Sequence, residues 1–306
     1  MLHLKRETYD RAVEVADGFW MLATRHRPGF MKMSPEVNNR CMIFRLRDAG
    51  EDVLVVANGV DPKVIPEVRR IERETGLAVK YILSVGGGHH VLLPAWRDEF
   101  TEATVLVGPE RVPTTPSAQP LMRGPRVRVL NAANPLPQFA GQLDAVVFDG
   151  LYGARDHKSP YEGGQEPGFF GLMKIMRHLD VPTDELWLRH AATGTVIGGD
   201  NLGWMLSKKT LQAFPFLIRM MMKSDTVYLQ EKARKIADSS RVAANWRKIL
   251  AWPSETLLGY HEPPGDAFVG NGQAALAEAV RAAGQLGAEP SFNSSRLTTA
   301  RPAARR

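Results

Sequence analysis

Two histidines follow three glycines in the stretch SVGGGHHVLLPAW, residues 84–96. Imidazole is the commonest metal ligand and changes charge near neutral pH, so His89 and His90 raise the question of what chemistry this turn supports. A glycine turn between a strand and a helix can bring backbone N–H groups to a phosphate. GGGHHV, however, lacks the G-x-G-x-x-G spacing, and no Gly-Lys-Ser/Thr follows it. A metal is the other reading. Neighbouring residues of a helix point about 100° apart, so both rings reach one ion only across an irregular turn. Three glycines allow such a turn.

Zinc takes three or four ligands, so two histidines need help from elsewhere in the chain. Asp200 in GTVIGGDNL ends an apolar run beside two glycines, and His261 in LLGYHEPPG ends another. Strand ends of this kind present side chains to a shared cleft. His157, in the polar segment YGARDHKSPYEGGQEPGF, is a further candidate ligand or general base; the same residue also reads as an exposed loop histidine. His190, just before AATG, reads as a half-buried strand residue. Without a metal, the histidines would cap the helix start and Asp200 would bond backbone N–H groups.

The elements that must position these groups follow from pattern. FWMLATR, CMIFRLRD, DVLVVANG, VKYILSV and ATVLVG are short, apolar and rich in strand formers. Asp61-Pro62 opens a helix with Val64, Ile65, Val68 and Ile71 on one face, and Gly76 closes it. A second helix is expected from about His89 to Phe100. The proline-rich stretch 109–125 is the expected boundary between halves. RVRVLN and LDAVVFDG then open the second half, ELWLRH and GTVIGGD form a hairpin around AATG, and ETLLGYH is a late strand. Helices are expected over 207–222, 226–250 and 271–286. Consecutive strands, rather than strict strand–helix alternation, point to mixed sheets packed together with helices outside.

Composition narrows the function classes. The net charge is +6, but Arg296, Arg301, Arg305 and Arg306 lie in an acid-free polar tail, so most of the excess belongs there. With four charges and no interleaved aromatics, a nucleic acid is not the expected partner. Cys41 is the only cysteine, which excludes an internal disulfide and a thiolate zinc cluster and suits the cytoplasm. No run reaches the ~18 apolar residues of a transmembrane segment, and the N-terminus lacks a signal-peptide pattern.

Taken together, ADGFWML, VLVVANGVDP, YILSVGGGHHVLLPAW, TGTVIGGDNL and LLGYHEPPG resemble, in order and context, the motifs of the metallo-β-lactamase superfamily. The resemblance runs from about Gly18 to Leu286. It implies an α/β (α+β) fold, a four-layer αββα sandwich over residues 18–287, after an N-terminal extension (1–17) and before a disordered basic tail (288–306). The motif is degenerate. Aligning His90 with the last histidine of H-x-H-x-D-H puts Val85 and Gly87 where its first two histidines belong, and His89 where its aspartate belongs. Ala57 stands where an earlier aspartate would be, and Glu262 rather than glycine follows His261.

The resemblance therefore implies at most one ion, zinc or iron, held by His89, His90, Asp200 and His261, with His157 as a candidate addition. Asp200 would orient a metal-bound water against an ester- or lactone-type bond of a small molecule. The alternative is a binding module of the same fold that has lost its metal. Neither 151–168 nor 207–250, the segments expected to shape the pocket, carries a substrate motif.

Overall fold

The structure is a computed structural model that describes residues 2–26, 37–86, 89–154, 179–203, 208–212, 219, 223–229 and 234–286. Of the sequence expectations, His157, much of the 207–222 helix and the 288–306 tail lie outside the described residues.

Seven strands form the first sheet in chain order: β1 (Val13–Ala16), β2 (Phe19–His26), β3 (Val37–Asp48), β4 (Glu51–Ala57), β5 (Val79–Leu83), β6 (Thr104–Val107) and β7 (Val127–Val129). The first four pair antiparallel, and β4 to β7 pair parallel. The second sheet is built from β8 (Leu143–Ala154), β9 (Leu179–His190), β10 (Thr195–Ile197), β11 (Lys235–Ile236), β12 (Thr256–Leu258) and β13 (Phe268–Val269), in the order β11-β8-β9-β10-β12-β13. Only β10 and β12 pair parallel there.

Period-two alternation sorts the strand side chains into layers. Phe19 and Met21 face the second sheet and join Phe44, Val147, Leu186 and Leu258 in the inter-sheet core. Trp20 and Leu22 face outward, under helices α1 (Ile65–Thr75) and α2 (Leu93–Glu99). On the second sheet Phe148 and Trp187 face outward, under α3 (Ser239–Leu250) and α4 (Gly272–Ala282). The result is the expected four-layer αββα sandwich. Cys41 is fully buried under the first helix layer, as expected of a core residue. No helix among the described residues is long and apolar enough to cross a membrane.

Three boundaries differ from the sequence expectation. β1 precedes Gly18 yet pairs with β2, so the first sheet takes in residues placed in the N-terminal extension. The proline-rich stretch carries only short helical turns, and β7 beyond it still pairs with β6. The halves therefore divide after β7, because RVRV completes the parallel ladder of the first sheet. Of the helix expected over 226–250, residues 226–229 are not helical and β11 lies just before Ser239, where α3 starts and the Asp238 carboxylate accepts the Arg241 N–H as an N-cap.

His190 sits deeper than its sequence context implied. It is 4 % exposed, between the rings of Phe19 (centroids 5.1 Å) and Phe44 (5.3 Å). Burial pushes its pKa down to about 4, against about 6.5 in an unfolded chain. The unfolded state thus binds the extra proton first as pH falls. Stability from this site is complete above pH ~6.5 and is lost as the pH drops toward 4, by about 2–3 kcal/mol. Urea unfolding at pH 7 and pH 4.5, with wild type and His190→Phe side by side, should show the larger acid loss in the wild type. Equal losses would refute this account.

Candidate metal centre

Three separate strands deliver three side chains to one rim of the sandwich. β5 ends at Leu83, and the turn at His89–Leu92 presents His89. β10 ends at Ile197, and Gly198-Gly199 lead to Asp200. β12 ends at Leu258, and Gly259-Tyr260 lead to His261. All three are C-terminal ends of strands that pair in parallel, the place where such sheets open a crevice. Gly199 cannot be replaced cheaply: a Cβ there would stand 2.8 Å from Glu185 Cβ.

His89 Nε2 lies 3.0 Å and His261 Nε2 3.2 Å from Asp200 Oδ1. Ligand atoms of His89, Asp200 and His261 all fall within 4.8 Å of one another. Tetrahedral zinc with bonds of 2.0–2.1 Å separates its ligands by roughly 3.3 Å, so these contacts match the edges of a coordination shell. His261 Nδ1–H donates to the Asn38 carbonyl at 2.8 Å. This bond orients the ring so that Nε2 faces Asp200, the arrangement that prepares a histidine to bind metal. His89 Nδ1 is buried with no partner among the described residues.

The charges of the three groups are coupled. Burial would raise the Asp200 carboxyl, but the charges of and hydrogen bonds from His89 and His261 outweigh it and hold it well below its usual range. Burial would lower His261, but its hydrogen bond to Asp200 and that charge raise it instead. A carboxylate between two imidazoles needs positive charge between them, supplied either by protons or by an ion. Two nitrogens and one carboxylate oxygen suit zinc or iron.

The other expected positions fall as follows. His90 is buried beside His89 but is not among the three converging side chains. Val85 is core, its carbonyl accepting the Leu186 N–H at 2.8 Å, and Ala57 is fully buried between the sheets. Neither has a side-chain lone pair. Gly87 and His157 lie outside the described residues.

No protein-family model matches this sequence, and no curated protein matches it. Solved structures do. A metallo-β-lactamase from Erythrobacter litoralis, with β-mercaptoethanol in its active site, superposes with a TM-score of 0.50 at 12 % identity, over 89 % of this chain and 96 % of its own. TMB-1 superposes with a TM-score of 0.51 at 8 % identity, over 89 % and 97 %. The chain has the metallo-β-lactamase fold.

Within this metallo-β-lactamase fold, two buried ion networks hold the rim, and sequence reading missed both. Glu185, fully buried on β9, takes Nε and Nη2 of Arg234 on Oε1 (3.1 and 2.9 Å) and the Asn201 N–H on Oε2 (2.7 Å). It thereby pins the turn that carries Asp200. Burial pushes Glu185 up to about 7 against the pull of Arg234. Arg40, fully buried on β3, grips Glu7 with Nε (2.7 Å) and Nη2 (3.0 Å). Its Nη1 donates to the Gly259 carbonyl (2.6 Å) and to Glu262 (3.1 Å). Its backbone N–H meets the Tyr260 carbonyl at 2.8 Å. Arg40 thus clamps the loop that presents His261. The available signal was a charge inside an apolar strand run, in NRCMIF and DELWL.

Proposed function

We propose that this protein is a mononuclear metal-dependent hydrolase. His89, Asp200 and His261 hold one zinc or iron ion, and an ester- or lactone-type bond of a small molecule is cleaved. The observation that carries this reading is the approach of both Nε2 atoms to one Asp200 oxygen at 3.0 and 3.2 Å, from three distant parts of the chain. Such an ion, when bound, lowers the pKa of a coordinated water toward neutrality and so makes a nucleophile available.

The protein supplies position and proton handling. Asn38 fixes the ring of His261 through Nδ1. Glu185 fixes the turn at Asn201. Asp200 Oδ1 faces the histidines, while Oδ2 lies toward Gly86, where a Cβ would be 3.8 Å away. That oxygen is the group to orient an attacking water by accepting its hydrogen bond. Loss of side-chain donors at Val85 and Ala57 limits the site to one ion, and the same loss is what supports the alternative, a metal-free binding module of this fold. A single buried cysteine suits action in the cytoplasm.

Elemental analysis of protein purified without chelators tests the reading. Wild type should carry about one equivalent of metal, Asp200→Ala and His89→Ala essentially none, and His90→Ala the wild-type amount. Metal-free wild type would sink the hydrolase and leave the binding module; an Asp200→Ala variant that keeps its ion would sink the assignment of the ion to these three side chains.

A further inference from the structure

Residues 8–10 lie ahead of β1 and are fastened to β2. The Thr8 carbonyl accepts the Ala23 N–H at 3.2 Å, and the Asp10 N–H donates to the Ala23 carbonyl at 2.8 Å. Tyr9, between them, is half-buried, with the Arg25 guanidinium over its ring at 4.0 Å from the centroid. Its hydroxyl reaches the side chain of Asn38 on β3.

The direction of each bond follows from the groups themselves. A carbonyl oxygen can only accept. The Asn38 side chain meets the His261 carbonyl at 3.4 Å, so the atom there is Nδ2 and the other is Oδ1. Oδ1 also only accepts, so the Tyr9 O–H donates to it, at 2.6 Å. The backbone carbonyl of Asn38 takes Nδ1–H of His261 at 2.8 Å. Asn38 therefore holds His261 at two points, main chain and ring, and Tyr9 holds the Asn38 amide. Asn38 is 6 % exposed, so little water is at hand to replace a lost donor. The same arrangement recurs two residues along. Glu7 grips Arg40, which takes the Gly259 carbonyl and Glu262. Alternate residues of the N-terminal segment thus meet alternate residues of β3, and both pairs brace the loop that carries His261.

We propose that Tyr9 is a positioning residue of the metal centre: its hydroxyl locks the Asn38 side chain and, through it, the backbone and ring of His261. The inference rests on His89, Asp200 and His261 holding an ion. An Asn38 amide released by Tyr9 turns away from the His261 carbonyl. The ring then keeps only its Nδ1 bond, Nε2 ranges more widely, and an ion bound there loses affinity.

Cobalt(II) is the probe, titrated into full-length protein against a competing chelator with its visible absorption as the signal. Tyr9→Phe keeps the ring under Arg25 and removes only the hydroxyl. It should weaken cobalt about tenfold, the lower end of what outer-shell partners of a ligating histidine typically contribute. Asn38→Ala should weaken cobalt at least as much, and Tyr9→Phe should add little in that background, because its partner is already gone. Tyr81→Phe is the control. It deletes a tyrosine hydroxyl bonded at 2.7 Å to Asp48, at the opposite end of β3, and should leave cobalt affinity unchanged. In metal-free protein, long-range proton–nitrogen spectra of the imidazoles should show a slowly exchanging Nδ1 proton on His261 in wild type and faster exchange in Tyr9→Phe. Wild-type cobalt affinity in Tyr9→Phe, full additivity with Asn38→Ala, an equal loss in Tyr81→Phe, or unchanged exchange at His261 would each overturn this inference alone. Wild type that binds no cobalt would overturn the metal centre with it.

Discussion

Arg40→Met is expected to lower folding stability by on the order of 3–5 kcal/mol, the usual consequence of removing one partner from a buried ion network. Arg40 has no exposed surface, and neither does its partner Glu7. Without the guanidinium, Glu7 and Glu262 remain as uncompensated buried acids. The carbonyls of Gly259, Pro263 and Asp266 also lose their donor. The acids would take up protons to escape the penalty, so the loss should be larger at pH 8 than at pH 5. Adding Glu7→Gln and Glu262→Gln to Arg40→Met should recover part of the stability by removing both stranded charges. Urea midpoints of the three proteins measure this directly. A loss below about 1 kcal/mol for Arg40→Met would mean that the network is not the clamp described here. The same variant should bind metal more weakly, because the loop carrying His261 is what Arg40 secures.

The second large effect belongs to Trp187. The ring is fully buried and packs edge-on against Trp246, with centroids 5.1 Å apart and planes at 79°. A Cβ on Gly198 would stand 2.9 Å from the same ring. The backbone leading to Asp200 therefore rests against the indole, and the indole N–H holds Asn201 from the other side. Trp187→Ala should cost about 3–5 kcal/mol, in the range for deleting a core aromatic. Trp187→Phe separates packing from hydrogen bonding. It keeps most of the ring but leaves Asn201 Oδ1 without its donor, at about 1–2 kcal/mol, and should loosen metal binding more than its modest destabilisation suggests. Thermal unfolding and metal titration on both variants distinguish the roles. Unchanged metal affinity in Trp187→Phe would show that the indole supports the core but not the turn.

Much of this molecule was legible from local pattern. Short apolar runs rich in strand formers marked most of the strands, though not β1, β11 or β13, because such runs are written in adjacent letters. Asp61-Pro62 and Gly76 bracketed α1, where Asp61 accepts the Lys63 N–H and Gly76 adopts φ +71°. The order of the glycine–histidine turn, Asp200 and His261 along the chain was enough to suggest the sandwich.

What the letters could not resolve were relations between distant positions. In sequence His90 aligned with the motif's last histidine and His89 stood where its aspartate belongs; among the described residues it is His89, and not His90, that joins Asp200 and His261 in one converging group. Arg40 meets Glu7, 33 residues before it, and Glu262, 222 residues after it. Glu185 meets Arg234 across 49 residues. Such pairs exist because sheet topology closes long loops, and no local propensity encodes which charge will share a buried space with which. Sequence alone therefore determined the layers and the shortlist of ligands. Tertiary structure decided which ligands converge, what braces them, and where the two sheets divide, because each depends on contacts made only after the chain has folded back on itself.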